Sequence, residues 1–382
     1  MDQVQSPIIA VIGELIRDNP GTISLGQGVV FYSPPSEVIS TLTQFWDNPN
    51  NHQYKSVTGI PPLLSIIEQK LAQENNIEIN NTNCIVVTAG SNMAFMNAIL
   101  GITSPGDEII IQTPYYFNHE MAITMASCKA ILVPTDSDYQ LCLKTIASAI
   151  TPKTKAIVTI SPNNPTGVVY SQSALREVNE LCRDQGIYHI SDEAYEYFTY
   201  NDAKHFSPAS LNNSNKHTIS LFSLSKAYGF ASWRIGYMVI PQDLLMSIKK
   251  VQDTILICPP VISQYAALGA LNTGISYCKE HLKQITKVRE MMLNSLQTIS
   301  DLVTISNSQG AFYFFLKVNT NLPAFELAKT LIEQHRVAVI PGETFGMNNG
   351  CYLRVAYGAL SSEIAEEGIN RLVTGLRKIV DC

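Results

Sequence analysis

The chain has 382 residues, with 26 Lys plus Arg against 32 Asp plus Glu and a formal net charge of −6. A net acidic chain with no long Lys/Arg block argues against nucleic acid as the main partner, and no run of about 18 or more apolar residues offers a membrane span. Hydrophobic residues make up 46% and charged residues 15%, enough to bury a sizeable core in one large domain plus a smaller one. Cysteines 84, 128, 142, 182, 258, 278, 351 and 382 are scattered and form no C-x-x-C pair. That pattern reads as reduced thiols in a cytoplasm, not a disulfide frame or a zinc site, so no metal is expected. Residues 1–5 lack the basic start and apolar run of a secretory signal.

In chain order, short apolar, β-branched runs at 84–88, 108–112, 130–134, 156–160, 188–192, 218–223 and 235–240 predict buried strands. Segments of helical period lie between them, at 63–75, 93–102, 144–150 and 173–185. The alternation predicts an α/β fold, a sheet with helices on both faces. One long helix over 276–299 would connect two domains. Beyond it the pattern changes, to strands over 311–316 and 352–356 and helices over 325–335 and 361–380. The expected organisation is a large domain over 45–285 and a smaller α+β domain from both chain ends, 1–44 and 286–382. The polar stretches 48–52 and 212–215 predict loops.

The residues that carry chemistry stand at the ends of these runs. Ser223-Leu224-Ser225-Lys226, with Arg234 eight residues after the lysine, sets an amine beside small hydroxyls and a guanidinium. An amine can form a Schiff base with an aldehyde. Hydroxyls and a guanidinium suit a phosphate dianion. The same residues could be a surface lysine and a salt-bridged arginine about a turn. Asn163-Asn164-Pro165-Thr166-Gly167 is at minimum a turn, but it follows the 156–160 strand, where α/β sheets bind ligands. Asp192, in Ser191-Asp192-Glu193-Ala194-Tyr195, ends the next strand and by itself could be a helix cap. Thr88-Ala89-Gly90-Ser91-Asn92 leads from a strand into a helix. Such a turn offers free backbone N–H groups to an anion, unless it is an ordinary capped turn. Arg354, inside the apolar run Leu353-Arg354-Val355-Ala356, is costly there unless it meets an anion, and its fork fits a carboxylate.

Together and in this order, these motifs resemble those of the fold-type I pyridoxal phosphate enzymes, the class I/II aminotransferases. The resemblance runs from about Gly26 to Arg354. It is nearest to the subgroup with kynurenine, glutamine–phenylpyruvate and prokaryotic aspartate or aromatic aminotransferases. It implies a mostly parallel seven-stranded sheet in the large domain. It also implies that Lys226 carries pyridoxal 5'-phosphate and then moves a proton, as base and acid. Asp192 would partner the pyridine nitrogen, since an anion there favours the protonated ring. Tyr195 and Asn164 would hydrogen-bond the phenolic oxygen. Gly90, Ser91, Asn92, Ser223 and Arg234 would form the phosphate cup. Tyr54, in Tyr54-Lys55-Ser56-Val57-Thr58-Gly59, would reach the phosphate of the neighbouring subunit, which implies a homodimer. Tyr116, in Pro114-Tyr115-Tyr116-Phe117-Asn118-His119, would stack on the ring in preference to Tyr115. Arg354 would grip the substrate α-carboxylate, with Asn164 and Gly28 completing the substrate site. Glu193 is assigned no catalytic role.

The chain departs from the family's pattern at Ser232-Trp233-Arg234, often Gly-Trp-Arg, and at Val29-Val30-Phe31, often Phe-Pro-Asp. The second departure changes a wall of the substrate pocket. The expected activity is transfer of an amino group from an L-amino acid, neutral or aromatic by preference, to a 2-oxo acid. The preference follows from 252–258, which holds no Arg or Lys before Pro259-Pro260, where dicarboxylate-specific members carry a second arginine. Aspartate as substrate stays open, with Arg17 or Lys55 as the replacing cation. So do C–S β-elimination and aminocyclopropane-type elimination, which the same motifs serve. A transcription regulator on this fold would need an N-terminal DNA-binding domain, and the residues before Gly26 carry no helix-turn-helix pattern.

Overall fold

Strands in three sheets organise the chain in a computed structural model that describes residues 1–380. In chain order they are β1 (Ile23–Ser24), β2 (Asn83–Thr88), β3 (Glu108–Thr113), β4 (Lys129–Pro134), β5 (Thr154–Ile160), β6 (Tyr188–Asp192) and β7 (Thr218–Ser223). Then come β8 (Gly236–Pro241), β9 (Val303–Ile305), β10 (Tyr313–Val318), β11 (Val337–Ala338), β12 (Ile340–Pro341) and β13 (Cys351–Ala356). The seven runs expected as strands form one sheet, in the order β2-β8-β7-β6-β5-β3-β4. Only β8 is antiparallel to its neighbours; the other pairs are parallel.

Period-two alternation sends Ile109 and Ile111 to one face and Ile110 to the other. The first face packs on Phe95 and Ala98 of the helix Ser91–Ile102. The second packs on Val178 and Cys182 of the helix Gln172–Gln185. Cover on both faces is why these strands read as apolar runs and not as alternating ones.

A second, antiparallel sheet has the order β12-β13-β10-β9. The parallel pair β1–β11 ties the N-terminal segment to the C-terminal region. Two expected boundaries fall inside helices. The 44/45 break would cut the helix Glu37–Trp46, which packs on the helix Val261–Thr273. Their approach is close: a Cβ on Gly269 would come within 2.7 Å of the Val38 Cα. The 285/286 break lies within Ile275–Gln297, the long helix, which packs on Ser362–Val380.

Several helices carry no clear mark in the sequence, and their burial explains it. Val261–Thr273 buries Ser263, Gln264, Ala266, Ala267, Gly269, Ala270 and Leu271, so no single apolar stripe marks it. Phe117–Met125 buries His119 among apolar residues and is equally unmarked. The expected helix over 63–75 is α-helical only over Pro61–Lys70; the coil changes over Leu71–Asn75 before Asn76 turns left-handed. Among the described residues, seven cysteines are free thiols; Cys382 lies outside them. Among the same residues, no single helix is long and apolar enough to cross a membrane.

The topology sets up a site. β2, β3, β5, β6 and β7 bring their carboxyl ends to one edge, where antiparallel β8 begins. Gly236 pairs with Thr88 on one side and Ser223 on the other, so three motif segments leave the sheet at one level.

Candidate active site

A cavity of about 590 Å³ opens at this edge. Its lining includes Gly28, Ser91, Asn92, Tyr116, Asn164, Asp192, Tyr195, Ser223, Lys226, Arg234 and Arg354. Segments more than 300 residues apart in sequence thus share one wall.

Anion-binding groups gather at one end. Gly90 caps the helix Ser91–Ile102 at a φ of 82°, leaving the first helical N–H groups free. A Cβ on Gly90 would come within 2.6 Å of Arg234 Nη2, and the left-handed φ itself favours glycine. Arg234 itself takes a left-handed φ of 50°, uncommon for a residue with a side chain. Its Nη1 donates to the Ala231 carbonyl at 2.9 Å, which aims the fork across the loop. Ser223 and Ser225 face the same end, at and just after the close of β7.

Lys226 is the fourth residue of the Ser-Leu-Ser-Lys run, on the helix Leu224–Ala227. Its Nζ donates to the Gly28 carbonyl. Burial, then the charges of Arg354 and Arg234, pull the amine from its usual 10.5 down to about 8, with Asp192 opposing. Roughly a tenth of such an amine is unprotonated at pH 7, so it can serve as nucleophile or base. Asp192, 4% exposed, ends β6 and lies 3.1 Å from His119 Nε2. The His119 ring stacks on Phe95 with centroids 3.9 Å apart, which fixes its plane.

Arg354 enters from β13 and is 2% exposed. Its Nη1 donates to Asn164 Oδ1 at 2.8 Å and its Nη2 to the Gly26 carbonyl at 2.7 Å. Because a guanidinium only donates, the first bond turns the Asn164 NH₂ away from the arginine. That NH₂ lies 3.5 Å from Tyr195 Oη. Burial above all holds the Tyr195 phenol well above the usual tyrosine range, so it stays protonated and able to donate. Arg354 Nε is buried without a partner among the described residues, a donor suited to an anion.

The aminotransferase class I and II family model matches residues 20–372. The chain belongs to the class I/II aminotransferases. It is 30% identical to the aromatic aminotransferase ISS1 of Arabidopsis thaliana, over 98% of this chain and 94% of that one. It is 31% identical to an aspartate aminotransferase of Pyrococcus abyssi, over 99% and 97%. Among solved structures, a double mutant of Thermus thermophilus aspartate aminotransferase matches with a TM-score of 0.89 at 28% identity, covering 97% of each chain. The aromatic aminotransferase of Pyrococcus horikoshii matches at 0.88 and 29%, over 96% and 99%.

An aminotransferase of this family works with pyridoxal 5'-phosphate, and the cavity fits it. One end gathers a helix N-terminus, hydroxyls and an arginine for a phosphate; the other gathers a carboxylate and a partly neutral amine. Gly28 also belongs to the fit, since a Cβ there would collide with the Tyr313 hydroxyl. Tyr116 lines the cavity, and its hydroxyl takes a hydrogen bond from Asn118 Nδ2 at 2.8 Å. Tyr54 does not line the cavity; it is 77% exposed on the surface.

Two residues of this aminotransferase site are not legible in the sequence. His119 ends the 114–119 motif, but nothing local tells a carboxylate partner from a packed histidine. Tyr313 lies in the cavity wall with its hydroxyl 2.7 Å from that of Tyr195. Only the pairing of β10 with β13 brings it there.

Proposed function

We propose that this aminotransferase takes the amino group of a neutral or aromatic L-amino acid and passes it to a 2-oxo acid. The observation that carries the preference is the set of cations in the cavity wall. Among the described residues, Lys226, Arg234 and Arg354 are the only Lys or Arg in its lining. All three are engaged, Lys226 as the amine, Arg234 at the phosphate and Arg354 at the α-carboxylate. The rest of the wall includes Ile9, Val29, Phe117 and Met121. A second substrate carboxylate against such a wall costs several kcal/mol unless it is paired. Neither Arg17 nor Lys55 lines the cavity of this protomer.

When bound, pyridoxal 5'-phosphate supplies an aldehyde for amino groups and a protonated ring that accepts the electron pair released at the substrate α-carbon. Lys226 is the residue that holds it covalently. The partly unprotonated Lys226 amine would take the substrate α-proton and hold it for return. Asp192, oriented by His119, would favour the protonated ring nitrogen. Tyr195 and Asn164 donate to the phenolic oxygen. Gly90, Ser91, Asn92, Ser223 and Arg234 would bind the phosphate, and Tyr116 would cover the ring. Arg354, with Asn164 and Gly28, seats the α-carboxylate. Tyr54 completes the phosphate site of a neighbouring subunit in a homodimer, which its exposure supports. Hybrid dimers of Tyr54→Ala and Lys226→Ala chains should then regain part of the activity that each alone lacks.

We also propose the two-domain division, with the helix Glu37–Trp46 assigned to the large domain on its packing. Free thiols support a reducing compartment such as the cytoplasm.

Borohydride reduction of the holoenzyme, followed by peptide mapping, tests the centre of this reading. The label belongs on Lys226; a label on any other lysine refutes it. Steady-state kcat/KM for aspartate, phenylalanine, methionine and kynurenine with 2-oxoglutarate tests the preference. Aspartate is favoured as an alternative by the names of several relatives. If it leads by about tenfold, or roughly 1.4 kcal/mol of transition-state preference, the apolar-wall argument is wrong.

A further inference from the structure

We propose that Tyr313 is a positioning residue for both halves of the site, setting the hydroxyl of Tyr195 and the plane of the Arg354 guanidinium. The inference rests on the roles given above to those two residues.

The β10–β13 register opposes Tyr313 to Ala356 and Phe315 to Arg354. Tyr313 and Arg354 are therefore diagonal neighbours on one face of the small sheet. The Arg354 guanidinium carbon lies 4.5 Å from the centroid of the Tyr313 ring. A flat cation on a flat ring has its tilt restricted as well as its charge stabilised. On the other side, the two tyrosine hydroxyls are 2.7 Å apart. Tyr313 is 1% exposed, so its ring has little room to leave.

These contacts close a loop of four side chains. Arg354 donates to Asn164 at 2.8 Å, Asn164 reaches Tyr195 at 3.5 Å, Tyr195 meets Tyr313 at 2.7 Å, and the Tyr313 ring carries Arg354 at 4.5 Å. Proton counting gives the loop a direction. Tyr195 has one hydroxyl proton. If that proton is donated into the cavity, it cannot also be donated to Tyr313. Tyr313 must then be the donor of the shared bond, which orients Tyr195 and makes it the stronger donor. The two residues stand on different sides of the site, Tyr313 on β10 of the small sheet and Tyr195 just past β6 of the large one. The bond therefore ties the two sheets together at the reacting centre.

Two variants separate the two roles. Tyr313→Phe keeps the ring over Arg354 and deletes only the hydroxyl. Tyr195 then donates more weakly to the phenolic oxygen of the bound cofactor. More negative charge stays there, and the adjacent nitrogen holds its proton more tightly. The pH midpoint of the holoenzyme's visible absorption should rise by about 0.4 to 1 unit, the size of one ordinary hydrogen bond. The kcat should fall about three- to tenfold, with KM for the amino acid within about twofold of wild type. Tyr313→Leu removes the ring as well and should also raise that KM by roughly tenfold. Melting of the cofactor-free proteins reports whether either variant is merely misfolded. Tyr195→Phe is the control. If it moves the absorption midpoint and Tyr313→Phe does not, the inference for Tyr313 is overturned and the role of Tyr195 stands. If neither moves the midpoint, both fall. A wild-type KM in well-folded Tyr313→Leu overturns the link to Arg354.

Discussion

Replacing Lys226 by Met should make the cofactor-free protein more stable at neutral pH, although it destroys turnover. The lysine amine is held near 8, against its usual 10.5, chiefly by burial and next by Arg354 and Arg234. Folding therefore weakens proton binding at this site. Between about pH 8 and 10.5 the unfolded chain carries more protons than the folded one, so stability rises with pH across that window. Below 8 the cost is fully present. A difference of 2.5 units corresponds to roughly 3.4 kcal/mol. The amine reaches the cavity and its hydrogen bond to the Gly28 carbonyl is lost in the variant. We therefore expect a net gain of about 1 to 2 kcal/mol. Urea unfolding of both cofactor-free proteins, at matched protein concentration from pH 7 to 10, measures it. The Met advantage should be constant up to about pH 8 and then shrink. An advantage that does not change with pH, or a Met variant less stable than wild type at pH 7, would refute the idea that this amine is held at a cost.

Asp192→Asn keeps the shape of the side chain and its reach to His119 but removes the charge that favours a protonated ring nitrogen. Turnover should fall by at least about a hundredfold while the circular dichroism of the protein is unchanged; wild-type turnover would refute the role. Gly28→Ala should lower kcat/KM about tenfold or more, because the added methyl meets the Tyr313 hydroxyl. Combining it with Tyr313→Phe removes the oxygen that the methyl strikes. The double variant should lose less than the two single losses summed, and strict additivity would contradict the contact.

The large sheet was legible in the chain because buried parallel strands must be apolar almost throughout. The seven runs from 84 to 240 have few other solutions. The motif residues were legible for a related reason. They sit at strand ends, where the periodic pattern stops and Asp192, Asn164, Ser223 and Lys226 break an apolar run. Helices buried on all sides, such as Val261–Thr273, were not legible, since burial erases the polar face that marks a helix. Strand order was hidden too. Nothing local says that β8 inserts antiparallel between β2 and β7, yet that insertion brings Arg234 to Gly90. The same holds for His119 beside Asp192 and for Tyr313 between Tyr195 and Arg354. The sequence determined which side chains could bind an anion, hold an aldehyde or move a proton, because that is a property of residue type and immediate neighbours. Only the tertiary structure decided which of them meet, because contacts between residues tens to hundreds apart depend on sheet order and register, to which no short stretch of chain commits.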